Sequence, residues 1–222
     1  MIKKASIKVK RGLTFFKEVR KNFTELGQVA PSSEDLSRKL TAPLKNLSGK
    51  RKILEVGPGT GGVTKQIIKL LAPGDELVVC EINPRLLELV EAKVLKLKVS
   101  KKIKITFICA PVQELKGNYK KGHFDAIISS LPFTNFPPDL VFEILGLYKS
   151  LLRKGGVLTF YEYLALRKVG QIFRKSSERK RVKGVSKVLS TWERELKLKR
   201  KLTGSVSYLN LPPAKVFVAR PS

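Results

Sequence analysis

Apolar runs and stretches of helical spacing alternate through the middle of this chain. Arg51 to Val56 (R-K-I-L-E-V) is an apolar run that stops at Gly57, Gly59, Gly61 and Gly62, and Val63 to Leu71 carries helical spacing. Glu76 to Glu81 is a second run, followed by Asn83-Pro84 and then Leu86, Leu87, Val90, Val94 and Leu97 at helical steps. Those steps place apolar side chains on one helical face, and a proline is tolerated in the first turn. Lys104 to Cys109, Phe124 to Ser130 and Val157 to Tyr163 complete five predicted strands, with a helix predicted over Asp139 to Arg153 and closed by Gly155-Gly156. Ser205 to Leu209 and Lys215 to Ala219 are two further short strands. Strands that alternate with helices predict a parallel sheet covered on both faces, a Rossmann-like α/β fold.

Two segments stand outside this alternation. In residues 1–28, Val9, Leu13, Phe16, Val19, Phe23 and Leu26 form one apolar stripe, with Lys8, Lys10, Arg11, Lys17, Arg20 and Lys21 beside it. This pattern predicts a basic amphipathic helix ahead of a single domain over residues 29–222. The second segment, about 165–201, is rich in Lys and Arg and contains Gly170 and Gly184. It reads as a basic insert, part of it mobile.

Charge changes the picture more than length does. The 222 residues carry a formal net charge of +27, with an ordinary 42% of hydrophobic residues. A globular core is therefore available, and the surface attracts polyanions, either an anionic membrane or nucleic acid. The two cysteines, Cys80 and Cys109, are too few for a disulfide framework and read as buried thiols at strand ends. One histidine, His123, argues against a His-based metal site, and no metal is expected. No apolar run reaches membrane-spanning length and no signal-peptide core is evident, so the expected place is the cytoplasm.

The chemistry concentrates in Glu55-Val56-Gly57-Pro58-Gly59-Thr60-Gly61-Gly62. Glycines between a strand and a helix let a ligand approach the backbone and expose N–H groups at the helix start. The G-x-G-x-x-G spacing of Gly57, Gly59 and Gly62 also fits a nicotinamide dinucleotide. Glu81, ending the second strand, suits either cofactor, because a carboxylate there accepts ribose hydroxyls. Glu55 favours a cofactor with a cationic amino-acid end, since an acid two residues before the first glycine would repel a pyrophosphate.

Together, Glu55 to Gly62 and Glu81 resemble the first two motifs of class I S-adenosylmethionine-dependent methyltransferases. That resemblance implies seven strands with the last antiparallel, and S-adenosylmethionine as cofactor. It implies that Glu55, Gly57, Gly59 and Gly61 touch the methionine part and that Glu81 holds the ribose, with Ile82 and Ser129 as flanking contacts. The family often has an acid near the adenine after the third strand. Here Cys109-Ala110-Pro111-Val112-Gln113 has none, which leaves Ala110, Pro111 and Gln113 as the contacts there.

A narrower resemblance rests on Gly27-Gln28-Val29-Ala30-Pro31-Ser32-Ser33, on Ser130-Leu131-Pro132 and on Asn210-Leu211-Pro212-Pro213-Ala214-Lys215-Val216-Phe217. These segments are similar to bacterial phospholipid N-methyltransferases, soluble enzymes that associate with membranes and methylate phosphatidylethanolamine toward phosphatidylcholine. The implied partners are a phospholipid substrate and an anionic membrane surface, met at the inner face of the cell membrane through Lys10, Arg11, Phe16, Lys17, Arg20 and Phe23. Ser130, Tyr161 and Tyr163 are the catalytic candidates near the fourth and fifth strand ends, where such folds place ligands. The rival is an rRNA adenine dimethyltransferase, whose Asn-Leu-Pro-Tyr turn Ser130-Leu131-Pro132-Phe133 approaches. A serine stands where that asparagine would hold the target amine, and the charge suits RNA as well. A third reading is a non-catalytic binding module on the same scaffold.

Overall fold

A computed structural model describes residues 33–97, 99–100, 102–164, 176–198, 202–210 and 213–220. The amphipathic helix expected in residues 1–28, and the segment 29–32 after it, lie outside the described residues.

Seven strands form one sheet in the order β3-β2-β1-β4-β5-β7-β6. They are β1 Lys52–Val56, β2 Glu76–Glu81, β3 Lys104–Cys109, β4 Phe124–Ser129, β5 Leu152–Tyr163, β6 Leu202–Ser207 and β7 Ala214–Ala219. The first five are mutually parallel, and β7 runs antiparallel between β5 and β6. Strand order reverses between β1 and β4, so the crossovers leave the sheet on opposite sides there. Ligand crevices of doubly wound sheets open at such a point, outside the carboxyl ends of the strands. Register brings those ends level: Val56 lies opposite both Cys80 and Ser129, and Glu81 opposite Cys109.

One face of the sheet packs against α1 (Glu34–Thr41), α2 (Gly62–Leu70) and α3 (Pro84–Lys96). Ile53, Leu77, Val79, Ala126, Ile128, Val157 and Val216 meet Leu36, Leu40, Val63, Ile67 and Val90 there. The other face packs α5 (Pro138–Leu151) and α6 (Ser176–Leu198), while the single turn α4 (Leu115–Asn118) follows β3. Aromatic rings fill this side. Phe160 stacks on Phe217 at 4.9 Å and meets Phe133 and Trp192 edge-on at 5.8 and 5.7 Å.

Several features differ from the sequence reading. The strand expected at Ser205 to Leu209 lies at Leu202–Ser207, with Tyr208 and Leu209 in the turn after it. Helix α1 is not foreseen; its start is fixed by Ser33, whose hydroxyl accepts from the Leu36 N–H at 3.1 Å. Ser176–Leu198 is a helix rather than a loose insert, because Val182, Val185 and Leu189 recur at helical spacing and are buried. The rest of that segment, 165–175 and 199–201, lies outside the described residues. Helix α5 stops at Leu151 and β5 begins at Leu152, with a bulge against β4 between Phe124 and Ala126. Gly156 permits this bulge: a Cβ there would meet the carbonyls of Arg153 and Asp125 at 2.9 and 3.1 Å. Finally, Cys80 is buried but Cys109 is exposed, because β3 is an edge strand.

Two polar ties hold the frame. Arg51, buried just before β1, donates through Nε to Asp75 Oδ2 at 3.1 Å and through Nη1 to the Leu44 carbonyl at 2.8 Å. Burial alone would push the Asp75 carboxyl up, yet hydrogen bonds from Arg51 and from the Ala72 and Arg51 backbone hold it below its ordinary value. At the opposite end of the sheet, Asn210 Oδ1 accepts from the Ser33 N–H at 3.0 Å, and the Ser207 hydroxyl donates to Asp35 at 2.6 Å. The turn after β6 is thereby fastened to the start of α1.

Candidate active site

Each residue of the glycine motif has a distinct backbone task. Gly57, Gly59 and Gly61 have φ of 69°, 55° and 86°, which L side chains rarely adopt. A Cβ on Gly57 would strike Leu131 Cδ2 at 2.9 Å, so that position serves packing. A Cβ on Gly59 would meet nothing within 4 Å, so that position faces open space beside the strand ends. The loop is braced by Gly57 N–H to the Cys80 carbonyl at 2.9 Å and by Lys93 Nζ to the Thr60 carbonyl at 2.7 Å.

Glu55 is completely buried on the α2 side of β1. One carboxyl oxygen accepts from Thr64 Oγ1 at 3.0 Å, and Oε2 has no hydrogen-bond partner among the described residues. Burial pushes the carboxyl up to about 8; the Thr64 hydrogen bond pulls it down and the nearby Glu81 charge pushes it up further. At neutral pH Glu55 therefore carries its proton until a positive charge arrives. Thr64 lies in the first turn of α2, so the glycine turn that starts the helix also sets this carboxyl.

Glu81 is 7% exposed at the end of β2. Its Oε1 accepts from the Asn83 N–H at 2.9 Å, and the Gly59 and Ile82 N–H groups also bond the carboxylate. Burial raises its pKa, with these three bonds working against the shift. Asn83 then caps α3, its side chain accepting from the Arg85 N–H at 3.2 Å. The acid of β2 and the middle glycine are thus adjacent.

Other predicted positions separate into groups. Ala110 donates its N–H to the Glu81 carbonyl at 3.1 Å, which sets the Ala110-Pro111-Gln113 turn beside β2. Gln113 Oε1 is buried without a partner among the described residues. The Ser129 hydroxyl is buried 3.0 Å from Tyr148 Oη, on the α5 side. Ser130 donates its N–H to the Val56 carbonyl at 2.9 Å, and its Oγ is buried without a partner among the described residues. Tyr161 lies among the core residues of the α2 face with its hydroxyl 3.4 Å from that of Tyr163; burial pushes its pKa well up. The membrane-binding set Lys10, Arg11, Phe16, Lys17, Arg20 and Phe23 lies outside the described residues. Thr64, which holds the Glu55 carboxyl, is not foreseen from the sequence, although an acid on β1 facing a following helix calls for a donor in that helix's first turn.

Residues 53–156 match a family described as "Methyltransferase domain". That stretch is a class I S-adenosylmethionine-dependent methyltransferase domain. S-adenosylmethionine is its methyl donor. The methyltransferase is 26% identical, over 61% of its length and 69% of the relative's, to an ornithine lipid N-methyltransferase of Singulisphaera acidiphila. It is 26% identical to a ubiquinone/menaquinone biosynthesis C-methyltransferase of Pseudomonas paraeruginosa, over 58% of this chain and under half (48%) of that enzyme. A probable dimethyladenosine transferase of Drosophila melanogaster is 30% identical over 54% of this chain and 35% of its own. A crystal structure of a protein from Corynebacterium glutamicum superposes with a TM-score of 0.64 at 15% identity, covering 94% of this chain and 90% of that one, which shows a shared fold.

The residues present fit the donor. A cationic amino-acid end needs an anion, and Glu55 Oε2 is a buried oxygen with no other partner. Sugar hydroxyls need acceptors, and Glu81 supplies them beside a glycine whose Cβ position is open.

Proposed function

We propose that this methyltransferase N-methylates phosphatidylethanolamine headgroups, toward phosphatidylcholine, at the inner face of the cell membrane. The observation that carries this reading is the similarity to a lipid N-methyltransferase across most of both chains. The Ser33–Asn210 hydrogen bond adds support, because it joins two segments, 177 positions apart, on which the phospholipid-enzyme resemblance rests. In this reading the basic stripe in residues 1–28 holds the enzyme on anionic lipid, where the substrate headgroup is concentrated.

S-adenosylmethionine supplies an activated methyl group on a sulfonium, so the chain's own work is alignment and proton handling. Glu55, ionised when a cation faces it, fixes the amino-acid end. Glu81 fixes the ribose, and Gly59 admits the ligand to the backbone. At the end of β4, Ser130 Oγ accepts a hydrogen bond from the substrate amine and orients its lone pair once the ammonium has lost a proton to solvent.

The rRNA adenine reading draws on the similarity to the dimethyladenosine transferase, but that match spans 35% of the relative and Ser130 replaces the asparagine of that family's turn. The deciding experiment expresses the chain in a host without phosphatidylcholine and separates labelled lipids by thin-layer chromatography. Methylated ethanolamine lipids should appear with the native chain and not with Glu55→Ala. Adenine methylation of RNA by the same preparation, with no methylated lipid, overturns the proposal.

A further inference from the structure

The turn after β6 presents two large apolar side chains side by side, Tyr208 and Leu209, 74% and 75% exposed. Single exposed apolar residues, such as Leu95 on α3, are ordinary on protein surfaces. An adjacent pair on a braced turn is different. Ser207 and Asn210, on either side of the pair, are buried and fastened to Asp35 and to the Ser33 N–H. The pair therefore cannot fold back onto the core without breaking both ties.

The turn sits at a particular edge. Ser207 pairs with Ala214, and Ala214 with Tyr163, the last residue of β5. Because β5 is parallel to β1 and β4, Tyr208 and Leu209 stand at the edge that carries the glycine loop and Ser130. Helix α6 brings cations to the same edge. Its C-terminal end, Leu198, lies four positions before Leu202, which starts β6 at the end away from that edge, while Gly184 packs on Pro138 and Trp192 on Phe160, level with the last residue of β4. The helix thus rises toward the strand ends in its N-terminal direction, where Arg179, Lys180 and Lys183 are exposed.

We infer that the Tyr208–Leu209 turn is an interfacial wedge: it enters an anionic lipid surface beside the site while Arg179, Lys180 and Lys183 rest on the headgroups. The chemistry selects lipid over nucleic acid as occupant. Leucine gains nothing from a base edge or a phosphate, whereas an apolar tip flanked by cations matches a bilayer interface, apolar below and anionic above. Phosphate attraction alone would call for cations without the tip. The inference deepens the proposed lipid substrate and rests on it for its purpose, but it draws on no residue of 1–28.

The test uses the full chain and vesicles of phosphatidylethanolamine with phosphatidylglycerol. Leu209→Trp should shift its emission to the blue on vesicles and be quenched by lipids brominated high in the acyl chain. Trp192, packed on Phe160, provides a constant background measured in the unsubstituted protein. Tyr208→Ser with Leu209→Ser should lower vesicle partitioning at least tenfold while circular dichroism and S-adenosylmethionine affinity stay unchanged. Replacing Arg179, Lys180 and Lys183 by Gln should weaken partitioning only when phosphatidylglycerol is present. Unchanged emission of Leu209→Trp in protein that floats with vesicles overturns the wedge, as does binding to RNA with none to vesicles. Bromine quenching without any lipid methylation supports the wedge and removes the substrate reading. Methylation of detergent-dispersed lipid, without insertion into vesicles, does the reverse.

Discussion

Glu55 shows how a single side chain ties cofactor capture to stability. Its folded carboxyl titrates near 8, above the ordinary 4.5, so the native state binds more protons than the unfolded chain between those values. The contribution to stability is fully present below about 4.5 and is lost as pH rises through 8. Glu55→Gln removes this dependence. Thermal scans without cofactor should show the native protein losing Tm relative to Glu55→Gln between pH 5 and 8, with little difference at the acid end. Equal Tm differences at both pH values would refute the buried neutral carboxyl. The same substitution should cost cofactor affinity at least tenfold at pH 8, the value of one hydrogen bond to a charged group. Gly59 makes a complementary case. Its φ of 55° makes Gly59→Ala cost roughly 1–2 kcal/mol in urea unfolding. Its open Cβ position directs the added methyl toward the ligand rather than the core, so calorimetric titration should also show weakened S-adenosylmethionine binding.

At the level of elements, the strands were legible where they were continuous and apolar, and the glycine turn was legible because positive φ leaves few alternatives. What stayed hidden was hidden for physical reasons. The eight residues of α1 are mostly polar, so their helix is announced only by Ser33 followed by Glu34 and Asp35 in the first turn. Lysines, serines and Gly184 masked the buried stripe of α6. Tyr161 and Ser129 sit at strand ends, which is why they read as site residues; register turns the first into the core and the second toward Tyr148. Glu55, Gly59 and Glu81 stand out in the sequence as two acids around a glycine turn, and the structure brings the three together at the ends of β1 and β2. The Arg51–Asp75 pair is the element-level anchor, joining the starts of β1 and β2. Asp75→Ala leaves a buried guanidinium uncompensated and should destabilise by about 3–5 kcal/mol in chemical denaturation. A loss under about 1 kcal/mol would mean that water reaches Arg51.

Across the whole molecule the net charge of +27 acts against compactness as well as for binding. Self-repulsion is long-ranged, and raising ionic strength from about 0.01 to 0.1 M shortens the screening length from about 30 to 10 Å. The Tm should therefore rise across that range. Vesicle binding should fall over the same range, whereas S-adenosylmethionine affinity should move little, because Glu55 is shielded within the sheet. A Tm that does not change with salt would place the cations far enough apart to ignore one another.

The position of β7 has a consequence for the order in which the molecule is made. Among the described strands β7 comes after β6 in the chain yet lies between β5 and β6, so β6 has no sheet to join until β7 has been synthesised. A nascent chain emerging from the ribosome can assemble β1 to β5, but it then waits with the edge of β5 bare and with Tyr163, Glu162 and Tyr161 lacking the strand that pairs with them. An open edge of this kind invites pairing with another chain. Chains arrested after Ser207 should be the aggregation-prone species during synthesis, and β7 acts as the stopper that closes the bare edge of β5.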